Sequence, residues 1–159
     1  MPITATPVTN IPVLTVEEVR VYMRDAPKYN KLLDDFHFTQ REVDFAINLA
    51  IDEFNTLQPP LGNYTVNNFP SKELLILGVI GHLLSAEAIL QLRNQITATD
   101  GDIAPVDIDN KMAQYHQLGA YYRELFRQKA QLTKQKINIE KCYGTIPSGY
   151  AGVSRYMRG

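Results

Sequence analysis

Residues 71–90 read SKELLILGVIGHLLSAEAIL, and this stretch decides the fold. Ser71 is suited to cap the start of a helix, and Glu73 lies favourably in the positive first turn. From Leu74 to Leu84 the apolar side chains occupy most of the helix circumference, so neighbours must cover the helix on several sides. The sequence therefore predicts a helix over about residues 72–98 at the centre of a helical bundle.

Small residues recur inside this helix at steps of three and four, namely Gly78, Gly81, Ser85 and Ala88. A glycine inside a helix costs about 1 kcal/mol relative to alanine. We expect the cost to be offset by a neighbouring helix that approaches closely at these positions.

Two capping-box patterns predict helices earlier in the chain. Thr15 with Glu18 begins a short helix that runs to about Asp25, and Thr39 with Glu42 begins a longer one that stops before residues 59 and 60, both prolines. Residues 61–70 are predicted to be a loop. The buried side of the longer helix is predicted to consist of Val43, Ala46, Ile47, Ala50, Ile51 and Phe54.

A fourth helix and two arms complete the predicted architecture. After a turn over residues 99–105, Asp107 or Asp109 opens a helix that ends near Ile139. Residues 1–14 contain three prolines and residues 140–159 contain four glycines, which favours extended arms. We predict an all-α fold: a bundle of about four helices, one short and three longer, over residues 15–139, with arms at 1–14 and 140–159. The fourth helix is predicted to bury Met112, Tyr115, Leu118, Tyr122, Leu125 and Leu132.

Length and composition fit one ordered domain, with 159 residues, 45% hydrophobic and 21% charged. The single cysteine, Cys142, has no partner for an internal disulfide, which suits a reducing compartment. The longest apolar stretch, residues 74–84, is too short to span a bilayer, and the first residues lack the pattern of a signal peptide. Neither secretion nor membrane insertion is expected.

No motif for catalysis or metal binding is present in the sequence. His37, His82 and His116 are not spaced as a ligand set; we expect the His82 ring to be hydrogen-bonded inside the central helix and the other two to be partly exposed. Asp34–Asp35 and Asp52–Glu53 are adjacent acids that point in different directions on a helix, and we expect them to be solvated or interfacial. The sequence predicts no enzyme, no cofactor and no metal.

Charge is unevenly distributed along the chain. Residues 1–110 hold 7 Lys/Arg and 15 Asp/Glu, whereas residues 111–159 hold 9 and 2, which gives net charges of −8 and +7. A basic face of the fourth helix is either an ordinary solvated surface or a contact with an acidic neighbour or with DNA. Its members are Lys111, Arg123, Arg127, Lys129, Lys134, Lys136 and Lys141.

The order of several short phrases resembles the head-tail connector, or adaptor, proteins of tailed bacteriophages over about residues 30–145. FHFT at 36–39 leads into VDFAI at 43–47 and AIDEFN at 50–55, then PP at 59–60. The apolar helix ends in LRNQ at 92–95, and DGD at 100–102 precedes a long polar helix over 112–136.

This resemblance implies a structural virion protein in the neck, assembled in the host cytoplasm. It implies a ring, commonly of twelve copies, that joins the portal protein to the tail or to a second neck protein, with DNA passing through the lumen. Arg123, Arg127, Lys129, Lys134 and Lys136 would then face a neighbouring subunit or the DNA channel. The apolar, tyrosine-bearing end of the chain is expected to dock on the portal or the next neck protein through Tyr143, Ile146, Tyr150, Val153, Arg155, Tyr156 and Arg158.

The alternative from another class is a small helical nucleic-acid-binding regulator that uses the basic fourth helix. No helix-turn-helix spacing is recognisable, and the acidic front half of the chain would repel phosphate. An enzyme ranks third.

Overall fold

The computed structural model describes residues 12–30, 33–94 and 111–143, with the side chains of positions 142 and 143 excepted. These ranges contain four α-helices and no strand: α1 (Val16–Met23), α2 (Gln40–Thr56), α3 (Lys72–Arg93) and α4 (Lys111–Tyr143). The predicted all-α class is confirmed.

The first three helices start where their capping residues predict. The hydroxyl of Thr15 accepts from the Glu18 amide while the Glu18 carboxylate accepts from the Thr15 amide, and Thr39 and Glu42 form the same reciprocal pair. Ser71 accepts from the amide three residues on. These contacts satisfy amides that the first turn of a helix leaves without partners.

Helix α2 buries the side that its periodicity predicts. All six predicted residues, from Val43 to Phe54, are buried in the core. Phe54 also contacts the ring of Tyr64 at 5.2 Å and that of Phe69 at 4.8 Å between centroids. Asn55 holds the loop in place, since its side chain bonds both the amide and the carbonyl of Tyr64. The loop after α2 therefore closes one end of the core.

Helix α3 is the central element, as predicted, because it packs against α1, α2 and α4. By length and composition α3 is also able to cross a membrane, the one such helix in the described part of the chain. However, 67% of its most apolar 18-residue window is buried inside the bundle, which is typical of a core helix.

Glycines bring α3 and α4 into close contact. A Cβ added at Gly78 would lie 2.9 Å from Ala50 Cβ and 3.0 Å from the ring of Phe126, so α2 and α4 both press on this position. A Cβ at Gly119 of α4 would lie 2.9 Å from Ser85 Oγ. The predicted close approach at the small residues of α3 is confirmed.

The predicted buried stripe of α4 is wrong in part, because Leu118 and Leu132 are exposed. The face of α4 that meets the glycines of α3 must accept short side chains or a flat ring, and the leucines lie on a neighbouring side of the helix. The buried residues of α4 are Gly119, Phe126, Ala130 and Lys134.

The predicted start of the second arm needs correction. Helix α4 continues four residues beyond the predicted end, to Tyr143, so residues 140–143 are helical. At the other terminus, Leu14 is buried in the core and the Val13 amide donates to the Val66 carbonyl at 2.8 Å. Residues 13 and 14 therefore pack on the bundle. The remainder of the two predicted arms, residues 1–11 and 144–159, lies outside the described residues.

The contact at Gly81 is tight enough to test. A Cβ there would lie 2.6 Å from Arg123 Cγ and 3.0 Å from the Arg123 backbone nitrogen. We expect Gly81→Ala to lower the free energy of unfolding by about 1–2 kcal/mol in urea denaturation, although alanine by itself favours a helix. Ala120→Gly, at an exposed position in the middle of α4, measures the propensity effect alone. A Gly81→Ala protein that is more stable than the parent would show that α3 and α4 are further apart.

Candidate interaction site

Two of the predicted basic residues contact an acid of their own chain. Arg127 Nε donates to Glu53 Oε1 at 2.6 Å, and an Arg123 terminal nitrogen lies 3.8 Å from Glu53 Oε2. Glu53 belongs to α2, and its side chain is only 14% exposed, whereas the two arginines are partly exposed. One carboxylate is therefore shared by the two arginines of α4.

His82 of α3 completes this cluster. Its Nε2 lies 3.0 Å from Glu53 Oε2, which places the ring beside the acid of α2. Burial lowers the pKa of His82, and the charges of Arg123 and Arg127 lower it further, while Glu53 opposes them. The cluster joins one side chain from α2, one from α3 and two from α4.

Glu53 was expected to be solvated or interfacial, and it is instead the centre of the cluster. Its position directly before the buried Phe54 places it at the edge of the apolar side of α2. Nothing in the sequence pairs it with residues more than 70 positions later in the chain. A carboxylate held by an arginine, close to an imidazole and mostly buried, fastens three helices together and leaves little room for a reactant.

Lys134 does not belong to an exposed basic face, and that prediction is wrong for this residue. Its side chain has no exposed surface. Its Nζ donates to the carbonyls of Leu57 and Asn55, at the carboxyl end of α2, and lies 4.9 Å from the centroid of the Phe54 ring. A cation at this end of a helix meets the partial negative charge of the last carbonyls. Burial lowers the pKa of the Lys134 ammonium group.

The other two predicted members, Lys129 and Lys136, lie on a different side of α4. Lys129 pairs with Glu73 of α3 at 2.5 Å, and Lys136 lies 3.9 Å from Glu140. At 100° per residue they are roughly 120–180° around the helix from Arg123, Arg127 and Lys134. The predicted basic residues therefore do not form one face. Their role at an interface or channel remains a prediction.

A second buried acid orders the segment between α1 and α2. The Asp25 carboxylate accepts from the amides of His37 and Phe38 at 2.6 and 3.0 Å and from the Asn30 side chain at 2.6 Å. Burial alone would raise the Asp25 pKa, but these hydrogen bonds outweigh it and the pKa is lowered. This loop places His37 Nε2 3.0 Å from the buried Glu87 of α3. His37 is partly exposed, as predicted.

Next to this pair lies an open apolar groove between α2 and α3, which we call the α2–α3 groove. Its volume is about 420 Å³, with Glu42, Glu87 and Arg93 among its polar residues. Two of its members, Leu33 and Phe45, are large apolar side chains that are more than half exposed. The apolar lining consists of Leu33, Phe38, Phe45, Leu49, Leu83 and Leu90.

Helix α4 carries a second apolar surface on its outer side, which we call the α4 stripe. It consists of Leu118, Leu125, Leu132 and Ile139, spaced seven residues apart. Leu125 is partly buried, and the other three are exposed. A seven-residue apolar repeat is the spacing by which helices pack along one another. Among the helices described, only Leu125 of the stripe is partly covered, by packing on the core.

The predicted docking residues lie at or beyond the end of α4. Tyr143 is the last residue of the helix, and its side chain is outside the described part. Ile146, Tyr150, Val153, Arg155, Tyr156 and Arg158 lie beyond that part, so their docking role remains a prediction.

No group of three or more His, Cys, Asp or Glu side chains able to hold a metal ion occurs among the residues with described positions. Comparison of the chain with models of protein families, with curated proteins and with solved structures found no match. The candidate site is therefore defined by its own geometry: two apolar surfaces that residues 12–30, 33–94 and 111–143 leave largely uncovered, on a bundle whose buried charged groups are hydrogen-bonded internally.

The buried Lys134 is testable by removal. We expect Lys134→Ala to lower the free energy of unfolding by about 2–4 kcal/mol, because it leaves a cavity and deprives the end of α2 of its cation. Lys136→Ala, two residues further on and exposed, should change it by less than about 0.5 kcal/mol. Urea denaturation of the three proteins gives the comparison. Equal effects for the two lysines would contradict the buried position of Lys134.

The lowered pKa of His82 predicts a pH dependence. The folded protein binds a proton at His82 less readily than the unfolded chain, whose histidine pKa is 6.5. Stability is therefore fully present above this value and declines as pH falls from it toward the folded-state pKa. We expect His82→Gln to lose less stability than the parent between about pH 7.5 and 5.5. His116→Gln, at an exposed site, should follow the parent, and identical profiles for all three proteins would refute the assignment.

Proposed function

We propose that the chain is a structural subunit that assembles into a ring as a head-tail connector of a tailed bacteriophage, and not an enzyme. In this role it joins the portal protein to the tail or to a second neck protein in the virion, around a channel that passes DNA. The order of phrases from FHFT at 36–39 to the polar fourth helix supports the proposal.

The observation that carries the proposal is the apolar surface that the bundle leaves uncovered. Phe45 in the α2–α3 groove and Leu132 on the α4 stripe are each about two-thirds exposed. Isolated exposed hydrophobic residues are common, but a groove and a helix-long stripe on one small domain are typical of protein–protein interfaces. Further exposed residues of this kind are Val21, Tyr22, Tyr29, Ile89 and Leu92.

The positions of the basic residues favour an assembling subunit over the alternative, a nucleic-acid-binding regulator. A regulator that reads phosphates with α4 would need its cations free, because phosphate contacts dominate such affinity. Arg127 is held by Glu53, and Lys134 is buried under α2. In a ring, the acidic front and basic back of the chain instead face neighbouring copies.

Mass measurement and truncation test this proposal together. We expect the full-length protein, alone or with its portal protein, to form a closed ring visible by native mass spectrometry and electron microscopy. A chain cut after Tyr143, where α4 ends, keeps every described helix and should fold with unchanged helicity but lose portal binding. Replacing Tyr150 and Tyr156 by serine in the full chain provides a matched variant with the same length.

Two results would reject the proposal. One is a full-length protein that remains monomeric at high concentration and with every portal offered. The other is normal portal attachment by the truncated chain, which would remove the docking role of residues 144–159 and leave ring formation to be judged separately by mass.

A further inference from the structure

The two uncovered apolar surfaces lie on different sides of the bundle. On α3, the residues in close contact with α4 are Gly78, Gly81 and Ser85, and those lining the α2–α3 groove are His82, Leu83, Ala86, Glu87, Leu90 and Arg93. At 100° per residue, the centres of these two sets are roughly 130° apart. The centre of the groove therefore faces away from α4.

The α4 stripe also points away from α3. The residues of α4 that are buried against α3, such as Gly119 and Phe126, define its inner face, and the stripe lies roughly 130° around the helix from it. In one chain the stripe therefore cannot reach the groove. A contact between the two requires two copies, and because it joins different surfaces it is heterologous, the kind that continues from copy to copy and closes into a ring.

The groove receives part of the stripe. The stripe extends from Leu118 to Ile139, a rise of about 32 Å at 1.5 Å per residue, and the α3 residues that line the groove, from His82 to Arg93, span about 16 Å, enough for two or three successive stripe residues. Large apolar residues spaced seven apart along a helix fit between two neighbouring helices as knobs into holes. The open α2–α3 groove lies between two neighbouring helices and can accept residues in this way.

The charges of the two surfaces are predominantly opposite. Helix α4 carries seven Lys/Arg against two Glu, and Lys136 lies within roughly 60° of the stripe. On the groove side, Glu42 and Glu87 line the groove together with one cation, Arg93, and the acidic Asp44 is next to the exposed Phe45 in sequence. The Glu87 carboxylate is bonded by Gln91 and His37 and retains acceptor capacity for a further donor. Opposite charge at the edges of an apolar contact favours one orientation over another.

We infer that the α4 stripe of one copy packs into the α2–α3 groove of the next copy. The inference rests on the proposed ring and names the two surfaces that build it. Phe45 and Leu132 lie near the middle of the contact, where complete removal from water gives apolar residues their largest contribution.

Charge variants of the full-length chain test the pairing. Phe45→Glu places a charge in the groove and keeps the stripe intact. Leu132→Glu places a charge on the stripe and keeps the groove intact. Each is expected to run at the 18.0 kDa monomer mass in analytical ultracentrifugation under conditions where the parent assembles. An equimolar mixture should give a species of twice the monomer mass and nothing larger, since only one intact stripe and one intact groove remain per pair. Gln131→Glu, exposed and off the stripe, should assemble as the parent does.

The fold of the variants is checked by circular dichroism and thermal unfolding, and is expected to persist because Phe45 is 64% and Leu132 65% exposed. If either variant unfolds, Leu33→Glu and Ile139→Glu, both at positions 57% exposed, provide a second pair with the same expected outcome.

Each other result overturns the inference in a recognisable way. Normal assembly of Phe45→Glu with loss in Leu132→Glu means that stripes pair with stripes. Loss in Phe45→Glu alone, together with loss on deleting residues 144–159, means that the terminal segment fills the groove. Normal assembly of both variants rejects these surfaces while the ring itself stands. A parent protein that never assembles rejects the pairing and the proposed function together.

Discussion

The close approach of α3 and α4 is the constraint on which the other features of this bundle depend. Only a backbone without side chains at positions 78, 81 and 119 lets the two helices come near enough for Phe126 to pack on Gly78, which Ala50 of α2 also contacts. The same short separation brings Arg127 within 2.6 Å of Glu53 and carries Lys134 to the end of α2. A wider spacing would remove the Arg127 contact of the mostly buried Glu53 and the carbonyl partners of the buried Lys134.

The close contact also determines what α4 presents to its surroundings. The face occupied by Gly119, Phe126 and Ala130 is too narrow for leucines, so these are placed on the flank as the α4 stripe. Arg123 and Arg127 share Glu53 of the same chain, and Lys134 is buried. What remains outside is apolar with lysines at its edge, a composition that suits contact with another protein better than contact with phosphate.

Local rules predicted most of the fold, and long-range contacts account for what they missed. The capping boxes at Thr15 and Thr39 and the buried side of α2 follow from residues within one or two turns, where the sequence carries the whole signal. The inner face of α4 does not follow from such local residues. Apolar periodicity predicts that leucines are buried in preference to glycine and alanine, and here the opposite holds. Only the glycines of α3, some forty residues away, decide that small residues face inward. The burial of Lys134 and the central position of Glu53 depend on partners more than 70 residues distant, and no spacing rule reaches that far.

The polar contacts also determine the register of α4 along α3. A stripe of glycines by itself permits several registers, since small residues make similar contacts when shifted by one turn. The Glu53 contact does not distinguish them well, because Arg123 and Arg127 are four residues apart and a shift of one turn exchanges one for the other. Lys134 does distinguish them: the same shift would bring Ala130 or Asn138 to the end of α2 and leave its carbonyls without a cation. A single buried polar group that selects one register at some cost in stability is well known in helical assemblies. Because the α4 stripe is rigidly part of the same helix, the register set by Lys134 also sets where the stripe stands on the outside of the subunit.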